Sequence, residues 1–291
     1  MRGPVNVAAS LLEWLAPPMP RARFVVTRIL VGAFATIYLL ARLRYLADGS
    51  RHAPHELVPV GVCSVLSAPL PSWASWTIAL VTVALGIAFT AGRVLRVVGP
   101  LFFLGLLWVL SYASSWGKIL HSENLLVIHV GVLALAGNAD DERLAGWALR
   151  AASIATVLTY LVAGITKLRS GGAAWISGDA LGDWLAWDAL RKIELGSFHS
   201  PLAAPVASSS VLLRGLALYT LVVELGAPLA LASERVARGW VLLAWLFHVG
   251  ILATMAIGFF YPLTGIAFAP LLPLERLPFV RTTHIGLRRS M

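Results

Sequence analysis

Few residues in this chain are able to carry chemistry, and most stand alone among apolar neighbours. Lys167 follows Tyr160-Leu161-Val162-Ala163-Gly164-Ile165-Thr166. At 100° per residue, Thr156, Tyr160 and Lys167 form one polar stripe on an otherwise apolar helix. In a dry pocket the neutral amine of a lysine is available as a base or nucleophile. The plainer reading is a side chain that snorkels to the headgroups. A second group lies in Ser115-Trp116-Gly117-Lys118-Ile119-Leu120-His121-Ser122-Glu123-Asn124, with His129 shortly after, where the chain enters its next apolar stretch. There His121 and His129 can relay protons or simply anchor and pack a helix. His248 lies in the middle of an apolar run, in Ala244-Trp245-Leu246-Phe247-His248-Val249-Gly250. Glu224 precedes Pro228, which has no N–H and so frees the Glu224 carbonyl. Arg28 and Glu224 fall toward the same half of the membrane and are expected to form a structural ion pair. Histidines are numerous enough for a metal, but there is no i, i+4 histidine pair or HExxH pattern, so no metal site is expected. The single cysteine, Cys63, rules out an internal disulfide and a cysteine cluster. Phosphate loops, dinucleotide fingerprints and Ser-His-Asp patterns are lacking.

The elements that must position these residues follow from composition. Of 291 residues, 58% are hydrophobic and only 13% charged, and mean hydropathy is +0.81. Soluble domains carry about 25% charged residues. The composition excludes an ordinary cytosolic enzyme, a secreted disulfide scaffold and a disordered chain. It predicts an all-α, polytopic integral membrane bundle of about eight (seven to nine) transmembrane helices. The apolar runs place spans near 24–46, 74–92, 97–113, 124–138, 147–167, 209–232, 239–258 and, more weakly, 259–274. Residues 1–23 read as an N-terminal cytoplasmic or interfacial segment, 24–274 as one transmembrane domain, and 275–291 as a basic tail. Val5–Leu15 fits a short interfacial helix, and residues 1–20 lack the features of a cleavable leader. Residues 47–73 and 168–208 read as long outside loops, the second as an interfacial or re-entrant segment.

The net charge of +9 comes from basic residues scattered singly between apolar runs, not gathered in a patch. It points to the lipid bilayer as partner and away from nucleic acid. With eight spans and a cytoplasmic N-terminus, thirteen basic residues fall inside and eight outside. That arrangement makes the chain a multi-pass plasma-membrane protein with both termini in the cytoplasm.

Four stretches carry a family resemblance: Ser115-Trp116-Gly117 through Leu135; Tyr160 through Leu168, leading to Trp175 and Gly178; Val223-Glu224-Leu225-Gly226-Ala227-Pro228; and Phe247-His248-Val249-Gly250. Across about residues 20–275 the chain resembles the HTTM (horizontally transferred transmembrane) family, which includes the vitamin K-dependent gamma-carboxylase. The resemblance implies a helical membrane fold, and it implies that Lys167 occupies the place of the base that meets a reduced quinone. The family's asparagine-histidine pair is not kept, since Leu125 follows Asn124, and Thr166 stands where the carboxylase has a second lysine. The carboxylase's large luminal domain has no counterpart, so carboxylation of protein glutamate is not implied.

Three functions fit these readings. The first is a membrane-embedded enzyme acting on a quinol (vitamin K-like) or other lipid-soluble small molecule. In it Lys167 is the base, His121 and His248 orient or relay protons, and Trp116, Asn124, His129, Tyr160 and Trp175 contact substrate. The second is a non-catalytic accessory or immunity partner of a secreted peptide. The third is a small proton-coupled transporter built on Glu224 and His248.

Overall fold

The computed structural model describes residues 7–48, 52–117 and 121–278, with side chains from residue 10 onward and that of His121 excepted. No strand occurs among these residues; the regular elements are helices. In chain order they are α1 (Val7–Leu15), α2 (Arg21–Ala41), α3 (Leu43–Ala47), α4 (Ser72–Thr90), α5 (Leu95–Ser114), α6 (Asn124–Ala136), α7 (Glu142–Gly171), α8 (Ala173–Ser177), α9 (Asp179–Glu194), α10 (Ala203–Ala207), α11 (Ser210–Leu225), α12 (Glu234–Met255) and α13 (Phe260–Leu263), with short 3₁₀ turns between them. Punctuation in the sequence sets several boundaries. Pro20 and Pro71 precede α2 and α4. Ser209 and Ser233 cap α11 and α12 by accepting from the N–H groups of Leu212 and Val236. Gly178, at φ +95°, takes the left-handed turn between α8 and α9.

Five helices, α2, α4, α5, α7 and α12, are long and apolar enough to cross a membrane. At 1.5 Å per residue, a hydrocarbon core of about 30 Å takes about 20 residues. Three of the expected spans do not reach that length as helices. The fourth is the 13-residue α6. The sixth ends as α-helix at Leu225 and continues only as a 3₁₀ turn, Ala227–Leu231, around Pro228. The eighth breaks into α13 and the 3₁₀ turn Ile266–Leu271, with Gly265 at φ +78° between them. The stretch 168–208 is not a loop. α7 runs on to Gly171, a turn beyond Lys167, and α8, α9 and α10 fill most of the rest. Apolarity was readable in all these segments, but helix length depends on where proline, glycine and tertiary contacts stop the hydrogen-bond ladder.

Residues 24–274, read from sequence as one stretch, divide into two compact units: residues 1–152 with 273–291, and residues 153–272. In the first, α2, α4, α5 and α6 pack through small residues. A side chain on Gly86 would collide with Thr36 and Phe102, and one on Gly131 with Phe103. Close approach over glycine is the usual way helices associate where lipid removes the hydrophobic drive between them. The segment 52–70 is pinned along the end of α5. The N–H of Val58 donates to the Ser115 carbonyl at 2.9 Å, and that of Leu70 to the Tyr112 hydroxyl at 3.2 Å. Arg23 and Glu275 form a two-pronged pair, both bonds 2.8 Å, tying the start of α2 to the 3₁₀ turn Leu274–Arg276. The second unit is built from the later turns of α7 and from α8–α13. Its core holds Val157, Tyr160, Val223, Trp240, Ala244 and Phe268.

Candidate functional site

The polar stripe expected on α7 lies in the second unit, and each of its three members finds a partner there. The Thr156 hydroxyl donates to the Ala267 carbonyl at 3.1 Å. The Tyr160 hydroxyl and His248 Nε2 share a hydrogen bond of 2.6 Å. Lys167 Nζ donates to Glu224 Oε1 at 2.5 Å. The stripe is therefore a seam along which one helix face bonds to the 266–271 turn, to α12 and to α11.

Local features explain how Lys167 and Glu224 meet. Gly164 lies one turn before Lys167, and a Cβ there would stand 2.9 Å from Glu224 Cβ and from Leu225 Cδ2. The missing side chain lets α11 press against α7 at the level of Glu224. Helical side chains lean toward the N-terminus. The Lys167 stem thus points back along α7 to the carboxylate. On its other side Lys167 Nζ lies 5.4 Å from the centre of the Trp175 ring, in cation–π range. Trp175 itself packs over Gly171, where any side chain would collide with the indole. The Lys167 side chain is 23% exposed and that of Glu224 only 3%, so the pair opens to the outside on the lysine side. Glu224 Oε2 is buried and has no hydrogen-bond partner among the described residues.

Tyr160 and His248 form the second polar contact. Small Ala244 sits one turn before His248 on α12, with Trp240 a turn earlier, and all three are buried. The Tyr160 ring meets Trp240 edge-on at 5.0 Å and Phe268 at 6.2 Å. The Trp240 N–H donates to the Val223 carbonyl at 2.9 Å, so α12 is tied to α11 beside Glu224. His248 Nδ1 is buried without a hydrogen-bond partner among the described residues.

The expected Arg28–Glu224 pair does not form. Arg28 donates to the carbonyls of Phe89 and Thr90 where α4 ends, the first of which also accepts from the Gly92 N–H, and Glu224 pairs with Lys167. Each charge took the partner its own unit supplied, which helical phase could not reveal. The other expected site residues lie in the first unit. His129 is fully buried and its Nε2 bonds to the Ala152 carbonyl at 3.1 Å. A carbonyl only accepts, so His129 carries its proton on Nε2 and ties α6 to α7. Trp116 stacks on His52 at 5.0 Å and meets Tyr112 edge-on. Asn124 is exposed at the start of α6. The side chain of His121, and Lys118 as a whole, lie outside the described residues. Glu123, named only as part of the polar run, accepts from the Tyr38 hydroxyl at 2.7 Å and pairs with Arg42 at 3.5 Å.

Sequence reasoning passed over a further cluster in the second unit. Asp188 is buried and bonds Lys192 at 2.7 Å and Arg191 at 3.1 Å. The i, i+3 and i, i+4 spacing was a visible signal. Lys192 also donates to the Met255 carbonyl at the end of α12, and Ser200 to that of Ala253. No family model, curated protein or solved structure matches the chain.

Proposed function

We propose that the chain is a multi-pass membrane protein whose second unit holds an intramembrane acid–base site, Lys167 with Glu224, acting on a lipid-soluble substrate of the quinol type. The observation that carries this reading is the buried ion pair with one carboxylate oxygen left open. A buried charge costs several kcal/mol unless it is paired and hydrogen-bonded. Ionisable groups kept inside a membrane domain therefore usually mark a substrate or proton path. Such a pair has two resting forms, ammonium–carboxylate and amine–carboxylic acid, related by moving one proton along a bond of 2.5 Å. In the second form the Lys167 amine takes the proton of a quinol hydroxyl. The products are the quinolate and the ammonium, which then lies beside the anion it has made. Trp175 supplies a flat apolar wall next to the amine. The resemblance of the Tyr160–Trp175 stretch to the HTTM family supports the same assignment. In this reading α2, α4, α5, α7 and α12 span the bilayer, and α6 and α11 are shorter embedded helices.

The test uses the purified protein in lipid nanodiscs with menaquinol as probe. Binding is read by quenching of tryptophan fluorescence, and deprotonation by quinolate absorbance. Lys167→Ala is expected to weaken binding about tenfold, roughly 1.4 kcal/mol, and to abolish quinolate formation. Lys167→Arg keeps the charge and is expected to retain most of the binding while losing the absorbance change, because a guanidinium does not give up its proton. Unchanged binding and quinolate formation in both variants would overturn the assignment.

A further inference from the structure

A run of exposed apolar side chains lies on and just beyond α9. Trp184, Trp187, Leu190, Ile193, Leu195 and Phe198 are each more than half exposed. α9 is not a membrane span. Within 16 residues it carries Asp179, Asp183, Asp188, Arg191, Lys192 and Glu194. Its inner side carries the buried Leu185 and Asp188, and Lys192, paired with Asp188 within the helix, donates to the Met255 carbonyl of α12. Where α9 sits follows from three contacts. α11 and α12 are joined by the short connection 226–233, so the start of α11 and the end of α12 lie at the same open end of a helical hairpin. At the start of α9, Gly178 packs against the backbone of Leu213 and Arg214, in the first turn of α11. Near the end of α9, Lys192 donates to the Met255 carbonyl, and Ser200 just beyond it to that of Ala253, in the last turn of α12. α9 therefore runs across the open end of the hairpin. α12 has 22 residues, about 33 Å at 1.5 Å per residue, which matches a hydrocarbon core and puts its end at the depth of the headgroups.

We infer that α9 is an in-plane interfacial anchor, lying in the headgroup layer with Trp184, Trp187, Leu190 and Ile193 seated against phospholipid. Tryptophan belongs at that depth because its ring is apolar and its N–H polar. Trp184 and Trp187 meet edge-on at 5.6 Å, and the Arg191 guanidinium lies 5.2 Å over the Trp187 ring, where it can reach lipid phosphate. The exposed charges of α9, Asp179, Asp183, Arg191 and Glu194, leave a net negative side, so apolar burial and not attraction to anionic lipid drives the contact. α8 and α9 follow directly on the end of α7 that bears Lys167. The anchor thus holds that end of the site at the depth from which a lipid-soluble molecule enters.

The inference shares the membrane embedding of the proposed function but not its chemistry, and the experiment separates them. Single cysteines are introduced by Leu190→Cys, Ile193→Cys and Leu242→Cys and labelled with an environment-sensitive fluorophore. The native Cys63 thiol is buried and pushed up to about 11 by that burial, so it stays unlabelled at neutral pH. The proteins are placed in phosphatidylcholine nanodiscs carrying a nitroxide at the headgroup or at mid-chain. Labels at 190 and 193 are expected to be quenched about twofold more by the headgroup nitroxide than by the mid-chain one, and to be shielded from aqueous iodide. The label at 242, exposed on α12, is expected to show the reverse nitroxide order. If 242 responds so while 190 and 193 answer only to iodide, the α9 surface faces water or a protein and the inference falls alone. If none of the three senses nitroxide, the membrane embedding falls as well.

Discussion

Glu224 and Lys167 matter to each other more than either matters alone. With Glu224 removed, Lys167 keeps a charge in a largely apolar setting with its carboxylate gone. Glu224→Leu is therefore expected to lower stability by about 3 kcal/mol, whereas Lys167→Met with Glu224→Leu should fall within about 1 kcal/mol of the parent. Thermal unfolding in detergent, followed by far-UV circular dichroism, gives both numbers. A loss in the double variant equal to the sum of the losses in Lys167→Met and Glu224→Leu alone would show that the two side chains are not coupled. Tyr160 and His248 obey the same rule in neutral form. Tyr160→Phe leaves both ring nitrogens of a buried histidine without partners, at an expected cost of about 1–3 kcal/mol in the same measurement.

Helix α7 is the element on which the site depends, and its glycine sets how near α11 comes. Gly164→Ala forces a Cβ into Glu224 and Leu225, so α11 must retreat by a few tenths of an ångström or more. We expect a loss of about 1–3 kcal/mol in thermal unfolding, together with weaker menaquinol binding as the ion pair lengthens. Gly250 in α12 is the control. Nothing lies within 4 Å of a Cβ there, and its backbone is helical. Gly250→Ala is expected to stabilise by up to about 1 kcal/mol, from helix propensity alone. Opposite signs for two identical substitutions on neighbouring helices would separate close approach from propensity, and a stabilising Gly164→Ala would contradict the packing described.

At the scale of the whole chain, the first unit is closed by a contact between residues 252 positions apart, Arg23 and Glu275. Burial by itself would raise the Glu275 carboxyl, but the Arg23 hydrogen bonds and charge outweigh it and hold the group below the ordinary carboxylate range. The folded value lies below the unfolded one. The pair therefore stabilises fully above the unfolded value, and that contribution is lost as pH falls through the folded one. Glu275→Gln should unfold at a lower temperature than the parent at pH 7, with the gap closing below about pH 4. A gap independent of pH would mean that the carboxylate charge does not hold the C-terminal segment in place.

The sequence by itself determined the all-helical class and the locations of the apolar runs, because periodicity and hydropathy are local properties of the chain. It also singled out the Thr156–Tyr160–Lys167 stripe, since helical phase alone puts those residues on one face. It did not determine that α6 and α11 stop short, or that 168–208 is mostly helical, because termination depends on glycine, proline and neighbours acting together. Nor did it determine partners. Lys167 and Glu224 are 57 residues apart, and Tyr160 and His248 are 88. Only the packing of α7 against α11 and α12, permitted by Gly164 and Ala244, brings them within bonding distance. Arg28 shows the reverse case: its charge suggested a carboxylate far along the chain, but its guanidinium is held by the carbonyls of Phe89 and Thr90 at the end of α4.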